Sequence, residues 1–487
     1  MIICGASSQN HDGGFTTMFG GTVLSTQLSE RYTRIKHDSY IIPFLQKALQ
    51  EIKFERLYIS TLNDDRDIQI DDDEFGEKIV VGREHHLYHA YCGFHTSPFD
   101  NAVVIVVDGY GCEKPEGKEV VSAYTFVNNM YAETVEKVYQ PKDEPTISIG
   151  RQFGMLAEEL GLTAEGKGDF AAGKVMGLAQ YFGHESSLPE EYQNQEWYDK
   201  VAAAQELQEK CNVQIRALVQ RYVKMSGMSN VVLTGGVAMN CVANNKVIET
   251  QNHWINLHVD PICNDNGISI GAALRAHEKL TGEPPNKIEN VYLGYEQERY
   301  NYEGLDATFA EYYDVVDLIL AGHPVAIFQG RSEVGQRALG NRSIVYDPRD
   351  AHGREIVNQI KQRESYRPFA ATVMEEYVDD WFSMEEDSPY MSYAVDVWQG
   401  MESSIPAVTH ADGTCRVQTL AKEDNPHFYR LINEFYRRTQ IPMLLNTSFN
   451  MANQPLVETF DDAIYTLNNS ELKYIFIPEE NRLITKR

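Results

Sequence analysis

An α/β fold with more than one domain is predicted by three features of the sequence. Several apolar, β-branched runs have the length of buried strands, and Ala102–Val107 is the clearest of them. Such runs end in glycine-rich turns that open helix-like segments, which is the order of strand–turn–helix units. The chain of 487 residues is also too long for one hydrophobic core, so we expect roughly two to four domains.

Strands, turns and helices alternate in the first part of the chain. The predicted elements, in order, are a strand at 2–5, a polar turn at 7–14, a hairpin at 15–28, a helix at 40–53, strands at 102–107 and 230–233, and a helix at 268–274. The turns at 10–14, 108–111 and 235–240 offer backbone N–H groups that can cradle phosphates. Three such turns in one chain indicate an actin-like nucleotide-binding core.

A second module follows a predicted boundary. A cluster of Gly and Pro at 282–286 and a polar stretch at 296–304 place this boundary near 285–312. The elements predicted beyond it are a helix at 315–321, strands at 323–328 and 441–445, a turn at 446–450, and a terminal helix and strand. We therefore expect two domains, covering residues 1–305 and 306–487.

The charge of the chain is strongly acidic, with one basic segment. The formal net charge of −28 disfavours nonspecific binding to nucleic acid or to anionic membranes. Residues 331–367 differ, since they hold eight Arg or Lys residues against five Asp or Glu residues. A basic segment in an acidic protein is where we expect an anionic substrate to bind.

Neither a secretory signal nor a membrane span is expected. The N-terminus lacks a basic segment, and no apolar run approaches the ~20 residues that a bilayer requires. The seven cysteines include no C-x-x-C pair, which is typical of reduced thiols. We expect a cytoplasmic protein with no membrane partner, and a homodimer is one candidate for its assembly.

Two histidines and two aspartates form a candidate metal site. His85 and His89 are four residues apart, a spacing that places both imidazoles on one face of a helix. Asp108 follows the strand 102–107 at its carboxyl end, where open α/β sheets bind ligands. Asp265 immediately precedes the helix 268–274. Mixed imidazole and carboxylate ligands suit Fe(II), Zn(II) or Mn(II). Of these three metals we expect Fe(II).

A set of sequence blocks resembles the NodU/CmcH family of O-carbamoyltransferases over nearly the whole chain. The blocks are SERYTRIKHD at 29–38, EHHLYHA at 84–90, DGYG at 108–111, GKVMGLA at 173–179, GGVAMN at 235–240, DNG at 265–267, GRSEVGQRALGNRS at 330–343, YRPFA at 366–370, HADGTCRVQT at 410–419 and LNTSFN at 445–450. The resemblance implies an N-terminal actin/sugar-kinase-like (TsaD-like) domain fused to a C-terminal YrdC-like α/β domain.

The resemblance also implies the reaction and its substrates. The second domain would form carbamoyl-adenylate from carbamoyl phosphate and Mg-ATP, and the first would transfer the carbamoyl group to a hydroxyl. Guanidinium and ammonium groups are needed to hold the phosphates. The residues expected to bind carbamoyl phosphate are Lys361, Arg363, Arg367, Arg416, Asn446 and Ser448. The residues expected to bind the nucleotide are Lys174, Gly235, Gly236, Asn240, Arg337 and Arg342.

His11 is the expected general base of the transfer step, because a neutral imidazole can accept the hydroxyl proton. The acceptor stays open between a sugar hydroxyl on a small molecule or natural product and the hydroxymethyl group of a modified nucleobase, such as 5-hydroxymethylcytosine in DNA. Gln336 and Ala371 stand where the family usually has Pro, and these departures bear on acceptor choice.

Two other classes of protein share parts of this pattern. A tRNA threonylcarbamoyladenosine-type enzyme uses the same two folds, but it needs a basic surface for tRNA, which the net charge of −28 disfavours. An actin-like ATP-binding regulatory protein needs none of the Arg and Lys blocks after residue 330. Pyrophosphate release from ATP with carbamoyl phosphate distinguishes the three.

Overall fold

A computed structural model of the chain describes residues 1–8, 11–41, 54–61, 79–142, 144–163, 166–250 and 254–486. Most of the helix predicted at 40–53 and part of the turn predicted at 7–14 lie outside the described residues. No helix in the described ranges combines the length and the apolar character that crossing a bilayer requires.

The chain combines strands and helices throughout its described residues. The strands are β1 Ile2–Ser7, β2 Gly14–Phe19, β3 Thr22–Leu28, β4 Arg56–Ser60, β5 Ile79–Gly82, β6 Ala102–Val107, β7 Glu113–Lys114, β8 Gly117–Val127, β9 Met130–Gln140, β10 Asn230–Thr234, β11 Asn256–Val259, β12 Asp306–Phe309, β13 Val325–Phe328, β14 Arg342–Tyr346, β15 Ala370–Met374, β16 Tyr393–Asp396, β17 Thr414–Leu420, β18 Met443–Ser448, β19 Tyr474–Ile477 and β20 Arg482–Thr485. The helices are α1 Ser29–Thr33, α2 His85–Thr96, α3 Ile149–Glu159, α4 Ala172–Ala179, α5 Gln195–Ser226, α6 Cys241–Ile248, α7 Ile268–Thr281, α8 Tyr312–Leu320, α9 Gly353–Lys361, α10 Pro426–Thr439 and α11 Phe460–Asn469.

The chain divides into two units that are discontinuous in sequence. The first unit consists of Met1–Ala172, Cys211–Gly294 and Val334–Gln336. The second unit consists of Gly173–Lys210, Tyr295–Glu333 and Arg337–Arg487. The change at Gly294 lies inside the boundary region expected at 285–312, and the functional division into 1–305 and 306–487 stays a prediction.

The first unit contains two sheets that repeat one topology. In the first sheet the strand order is β3-β2-β1-β4-β5, antiparallel from β3 to β1 and parallel from β1 to β5. In the second sheet β9, β8, β6, β10 and β11 follow one another with the same sequence of antiparallel and parallel pairings. Each half is therefore a hairpin-bearing strand followed by parallel strands, so the topology of the first unit is duplicated, and its actin-like character stays a prediction.

The second unit is built on one nine-stranded sheet, with the order β12-β20-β19-β13-β14-β18-β15-β17-β16. Its pairing is mostly antiparallel, with parallel pairs only between β13 and β19 and between β15 and β17 within the described strands. A core of Phe328, Phe449, Phe460 and their neighbours packs on this sheet. The mixed α/β character of this part of the chain is confirmed, and its likeness to YrdC stays a prediction.

Candidate active site

Helix α2 presents two buried histidines on one face. The ring centroids of His85 and His89 are 4.7 Å apart, as the four-residue spacing predicts. His86 points elsewhere, since its Nδ1 shares a hydrogen bond of 2.8 Å with the Ser122 hydroxyl. The two imidazoles of His85 and His89 are therefore available to one ligand.

Strand β6 delivers Asp108 to these imidazoles. Asp108 Oδ2 lies 2.9 Å from His85 Nε2, and its Oδ1 accepts a 3.0 Å hydrogen bond from the backbone N–H of Gly236. This approach of the β10 turn depends on Gly235, whose φ is +87° and whose missing Cβ would lie 2.4 Å from the Val107 carbonyl oxygen. The turn thus fixes the orientation of the Asp108 carboxylate.

Asp265 comes from the 3₁₀ turn Asp265–Gly267 directly before α7. Helix α7 packs close to α2 because Gly271 has no side chain, and a Cβ there would lie 1.9 Å from the Tyr88 carbonyl oxygen. The close packing brings Asp265 Oδ1 to 3.3 Å from His89 Nε2 and to 3.7 Å from His85 Nε2.

The four side chains fit a divalent cation. One ligand atom from each of His85, His89, Asp108 and Asp265 lies within 4.8 Å of the others. The measured separations run from 2.9 to 3.9 Å. Ligands about 2.1 Å from a shared ion lie ~3.0 Å apart in octahedral and ~3.4 Å apart in tetrahedral geometry.

A second observation also points to a cation. Both ring nitrogens of His89 are buried and have no hydrogen-bond partner among the described residues. A buried polar atom without a partner is costly, and a metal bond satisfies an imidazole nitrogen. The group could hold a metal ion, and the identity of that ion stays a prediction.

His11 lies beside this group in the first unit. Its Nδ1 is 2.9 Å from Asp12 Oδ2 and 3.6 Å from Asp265 Oδ2. Burial lowers the pKa of His11, but the hydrogen bond to Asp12 and the charges of Asp265 and Asp108 outweigh burial and raise it to about 10. Asp12 also contacts His37, whose Nδ1 lies 2.9 Å from Asp12 Oδ1. His11 thus lies between the candidate metal group and a second histidine.

In the second unit, Lys361 is enclosed by oxygen atoms at the end of β18. Its ammonium group donates to the carbonyl oxygen of Ser448, to the Ser448 hydroxyl at 3.1 Å, and to the Asn450 side-chain oxygen at 3.0 Å. The structure therefore brings Lys361 and Ser448 together, as expected. Asn446 and Ser448 were expected on a turn after the strand. They lie within β18 instead, because β14 pairs with β18 as far as Ser448.

Two arginines expected at one site act on the charge of a third. Burial, followed by the charges of Arg367 and Arg416, lowers the pKa of Arg363 well below its usual value. The guanidinium of Arg363 donates to the Asn358 side-chain oxygen at 2.5 Å and to the Pro368 carbonyl at 3.2 Å. Arg367 lies 3.6 Å from Glu364. Such mutual repulsion among cations is relieved when an anion binds between them.

The residues expected to bind nucleotide are distributed over both units. Gly235 and Gly236 form the turn beneath Asp108, and Asn240 caps α6 by accepting the Ala243 N–H at 3.1 Å. In the second unit Lys174 forms an ion pair of 2.5 Å with Glu364, and Arg337 is half-buried.

Arg342, also expected to contact the triphosphate, is held by backbone carbonyl oxygens. Its side chain is fully buried, and its guanidinium donates to the carbonyl oxygens of Gln329, Gly330, Asn341 and Glu458 and lies 3.8 Å from the centre of the Phe328 ring. These contacts occupy both terminal nitrogens of the guanidinium, and the role of Arg342 at a triphosphate stays a prediction.

Sequence reasoning missed polar residues that contact the expected ones. Asp12 holds His11, Asn450 holds Lys361, and Thr372 and Gln418 contact Asn446. The position of Asp12 directly after His11 was a usable signal. Thr372 and Gln418 gave none, because their contact with Asn446 depends on the pairing of three strands that are distant in sequence.

The chain belongs to the carbamoyltransferase family. A family model described as "Carbamoyltransferase C-terminus" matches residues 316–486, and one described as "Carbamoyltransferase N-terminus" matches residues 55–197 and 178–274. This family membership makes the protein an enzyme of the carbamoyltransferase class.

Relatives of known name are similar to most or to half of the chain. Nodulation protein NolO of Bradyrhizobium diazoefficiens is 31% identical over 80% of this chain and 76% of its own length. Nodulation protein NolNO of Sinorhizobium fredii is 28% identical over 98% of this chain and 79% of its own length. The 3'-hydroxymethylcephem-O-carbamoyltransferase of Amycolatopsis lactamdurans is 33% identical over 48% of this chain and 45% of its own length.

Solved structures are similar at a lower level. A ROK hexokinase from Thermus thermophilus is 13% identical, covers 58% of this chain and 100% of its own, and has a TM-score of 0.36. Full-length HypF in a phosphate- and nucleotide-bound form is 12% identical, covers 58% and 56%, and has a TM-score of 0.37. TM-scores this low carry no argument about the fold, so the actin-like core stays a prediction.

Proposed function

We propose that the protein is an ATP-dependent O-carbamoyltransferase that forms carbamoyl-adenylate from carbamoyl phosphate and ATP and then transfers the carbamoyl group to a hydroxyl. The observation that carries the proposal is the group of cations in the second unit. The charges of Arg367 and Arg416 lower the pKa of Arg363, and the ammonium group of Lys361, the last residue of α9, contacts Ser448 at the end of β18. Two phosphorylated substrates require such a group.

The first half-reaction takes place in the second unit. Water cleaves carbamoyl phosphate to carbamate and inorganic phosphate, and a carbamate oxygen then attacks the α-phosphorus of ATP. The bond between the α- and β-phosphates breaks, and pyrophosphate leaves. Lys361 and the three arginines orient the phosphates and stabilise the charge that develops on them. Asn446 and Ser448 bind the carbamoyl group and the phosphate oxygens.

The second half-reaction takes place in the first unit. The acceptor hydroxyl attacks the carbamoyl carbon, the bond to the adenylate oxygen breaks, and AMP leaves. His11 accepts the hydroxyl proton at its ring nitrogen. His85, His89, Asp108 and Asp265 would hold a divalent cation, with Fe(II) favoured over Zn(II) or Mn(II), and that cation would supply Lewis-acid polarisation. The hydrogen bond to Asp12 is the largest of the contacts that raise the pKa of His11, and the charges of Asp265 and Asp108 add to it; a cation held by these two carboxylates would offset their part.

A sugar hydroxyl on a small molecule is the acceptor class we favour, and a hydroxymethylated base in DNA is the alternative. The formal charge of −28 supports this order, because a DNA duplex is a polyanion. Among the relatives, the Amycolatopsis enzyme is named for transfer to a hydroxymethyl group on a cephem, a small molecule.

The proposal is tested by measuring pyrophosphate release from ATP with and without carbamoyl phosphate, and then by screening acceptors. Release that requires carbamoyl phosphate supports the first half-reaction. Mass spectrometry of hydroxyl-bearing sugars and of hydroxymethylated oligonucleotides then reports the addition of one carbamoyl group. Absence of donor-dependent release from a metal-loaded preparation contradicts the proposal. Transfer to oligonucleotides alone contradicts the favoured acceptor class.

A further inference from the structure

The side-chain amide of Asn446 has an oxygen atom without a partner. Asn446 lies in the middle of β18 and is completely buried. Its Nδ2 has three acceptors nearby, whereas its Oδ1 has no hydrogen-bond partner among the described residues. A buried acceptor left without a donor destabilises the folded chain, so such an atom points to a ligand that supplies an N–H or O–H.

The surrounding hydrogen bonds fix which end of the amide is left open. Gln418 Nε2 donates to the Leu339 carbonyl at 3.3 Å, so Gln418 Oε1 faces Thr372 and accepts its hydroxyl proton at 2.7 Å. The Thr372 hydroxyl proton is already donated to Gln418, so towards Asn446 the Thr372 oxygen acts only as an acceptor, 3.0 Å from Nδ2. The Ala338 carbonyl also accepts from Nδ2, at 3.1 Å.

The backbone carbonyls of Leu339 and Ala338 therefore fix the direction of these hydrogen bonds, because a carbonyl oxygen can only accept. Their loop is itself held by Glu333, whose Oε1 accepts the N–H groups of Leu339 and Asn341 at 2.7 and 3.0 Å. Flipping the Asn446 amide would set its oxygen against the Ala338 carbonyl. The oxygen is thus held in one direction and accepts only from a ligand.

The same face of the sheet carries a cation at a suitable distance. Asn446 and Arg416 both pair with Ala370, from opposite sides, so the two side chains project from one face. Their Cα atoms are two strand spacings apart, about 10 Å, a gap that an arginine side chain spans in large part. An acceptor at one end and a guanidinium at the other match a small molecule with an N–H group and a phosphate.

We propose that Thr372 and Gln418 are positioning residues that orient the Asn446 amide to read the NH₂ group of carbamoyl phosphate and to reject acyl phosphates that lack it. The inference rests on the proposed function, which supplies the donor. Acetyl phosphate has the same phosphate and carbonyl groups, but a methyl group replaces the NH₂. A methyl group cannot donate a hydrogen bond to Asn446 Oδ1. Carbamoyl phosphate and acetyl phosphate therefore differ at this site in one hydrogen bond.

The experiment measures kcat/KM for pyrophosphate release from ATP with carbamoyl phosphate and with acetyl phosphate. A site built to bond a substrate N–H discriminates by about 10⁴-fold against an analogue without it, so we expect a ratio of that order for the unaltered chain. Gln418→Met frees the Thr372 proton, and Thr372→Val removes one acceptor of Nδ2. Each variant is expected to lower the ratio of the two kcat/KM values, carbamoyl phosphate over acetyl phosphate, at least about tenfold. The reason is that each removes a hydrogen bond that holds the Asn446 amide in its orientation.

Thr466→Val is the matched control. Thr466 is also a buried threonine of the second unit, and its hydroxyl donates to the Asp462 carbonyl within α11 at 2.9 Å. The ratio of the two kcat/KM values for Thr466→Val should equal that of the unaltered chain. A ratio near one in the unaltered chain, or variants that slow both donors equally, overturns the inference and leaves the proposed function standing. No release with either donor from the unaltered chain contradicts the proposed function itself.

Discussion

Replacing Asp265 by Asn tests the candidate metal site with the least change in shape. The substitution keeps the volume of the side chain and removes one negative charge from four buried ligand groups. Asp265 Oδ1 lies within 3.7 Å of both imidazoles, so the lost charge is central to the group. We expect Asp265→Asn to weaken metal binding strongly while the fold persists.

The size of the effect follows from burial. Removing one member of a buried charge pair costs about 3–5 kcal/mol, which corresponds to a rise in Kd of roughly 10²- to 10³-fold or more. At a metal concentration 100 times the Kd of the unaltered chain, binding raises the free energy of unfolding by about 2.7 kcal/mol. For the variant the same concentration is at or below its Kd, and the gain falls to about 0.4 kcal/mol or less.

The assay is unfolding of the metal-free protein with and without added Fe(II), Zn(II) or Mn(II), together with elemental analysis. Asp260→Asn is the matched control. Asp260 is buried nearby in sequence, but its oxygens already accept from Thr234, Thr96 and the Ile262 N–H, and it is outside the group of four. Equal metal-dependent stabilisation of Asp265→Asn and the unaltered chain refutes the site.

Three further predictions concern the two half-reactions and the stability of the fold. Lys361→Ala and Arg416→Ala should each lower carbamoyl-phosphate-dependent pyrophosphate release by about 10- to 150-fold, because each removes charge-assisted hydrogen bonds worth roughly 1.5–3 kcal/mol. Arg349→Ala, which removes the half-exposed partner of the buried Asp347, should leave the release unchanged. Normal release in either of the first two variants contradicts the assignment. His11→Ala should keep pyrophosphate release but slow transfer to the acceptor by about 10²–10⁴-fold, as product analysis by mass spectrometry will show, and unchanged transfer would leave His11 a structural residue. Burial, with smaller contributions from Lys287 and His277, lowers the pKa of His95 well below its usual value, so only the unfolded chain takes up a proton as the pH falls below about 6.5. The free energy of unfolding therefore decreases from pH 7 to pH 5. Measured by urea unfolding, this decrease should be about 2 kcal/mol smaller for His95→Leu than for the unaltered chain. An equal decrease in both proteins contradicts the prediction.

Short-range patterns predicted much of the first unit. The helix carrying His85 and His89, the strand Ala102–Val107 and the turn before α7 are found as expected, because periodicity and turn chemistry act over a few residues. The convergence of Asp108 and Asp265 on the two imidazoles was also expected from strand ends and helix starts.

Long-range contacts set the limits of sequence reasoning. Arg342 looked like the other arginines of its basic segment, and only the structure shows that its guanidinium donates to the carbonyl oxygens of Gln329, Gly330 and Glu458. Asn446 was expected on a turn, because nothing local indicates that β14 extends the strand through Ser448. The network of Thr372 and Gln418 depends on the same pairing of distant strands.

The most direct test of the central claim follows a carbon atom from donor to acceptor. Carbamoyl phosphate labelled at its carbonyl carbon is incubated with ATP, metal-loaded protein and a panel of hydroxyl-bearing sugars, and each product is analysed by mass spectrometry. The account predicts label in an acceptor carbamate ester, with ATP converted to AMP and pyrophosphate in equal amounts to the product. Label transfer that proceeds without ATP, or ATP cleavage to ADP in its place, contradicts it.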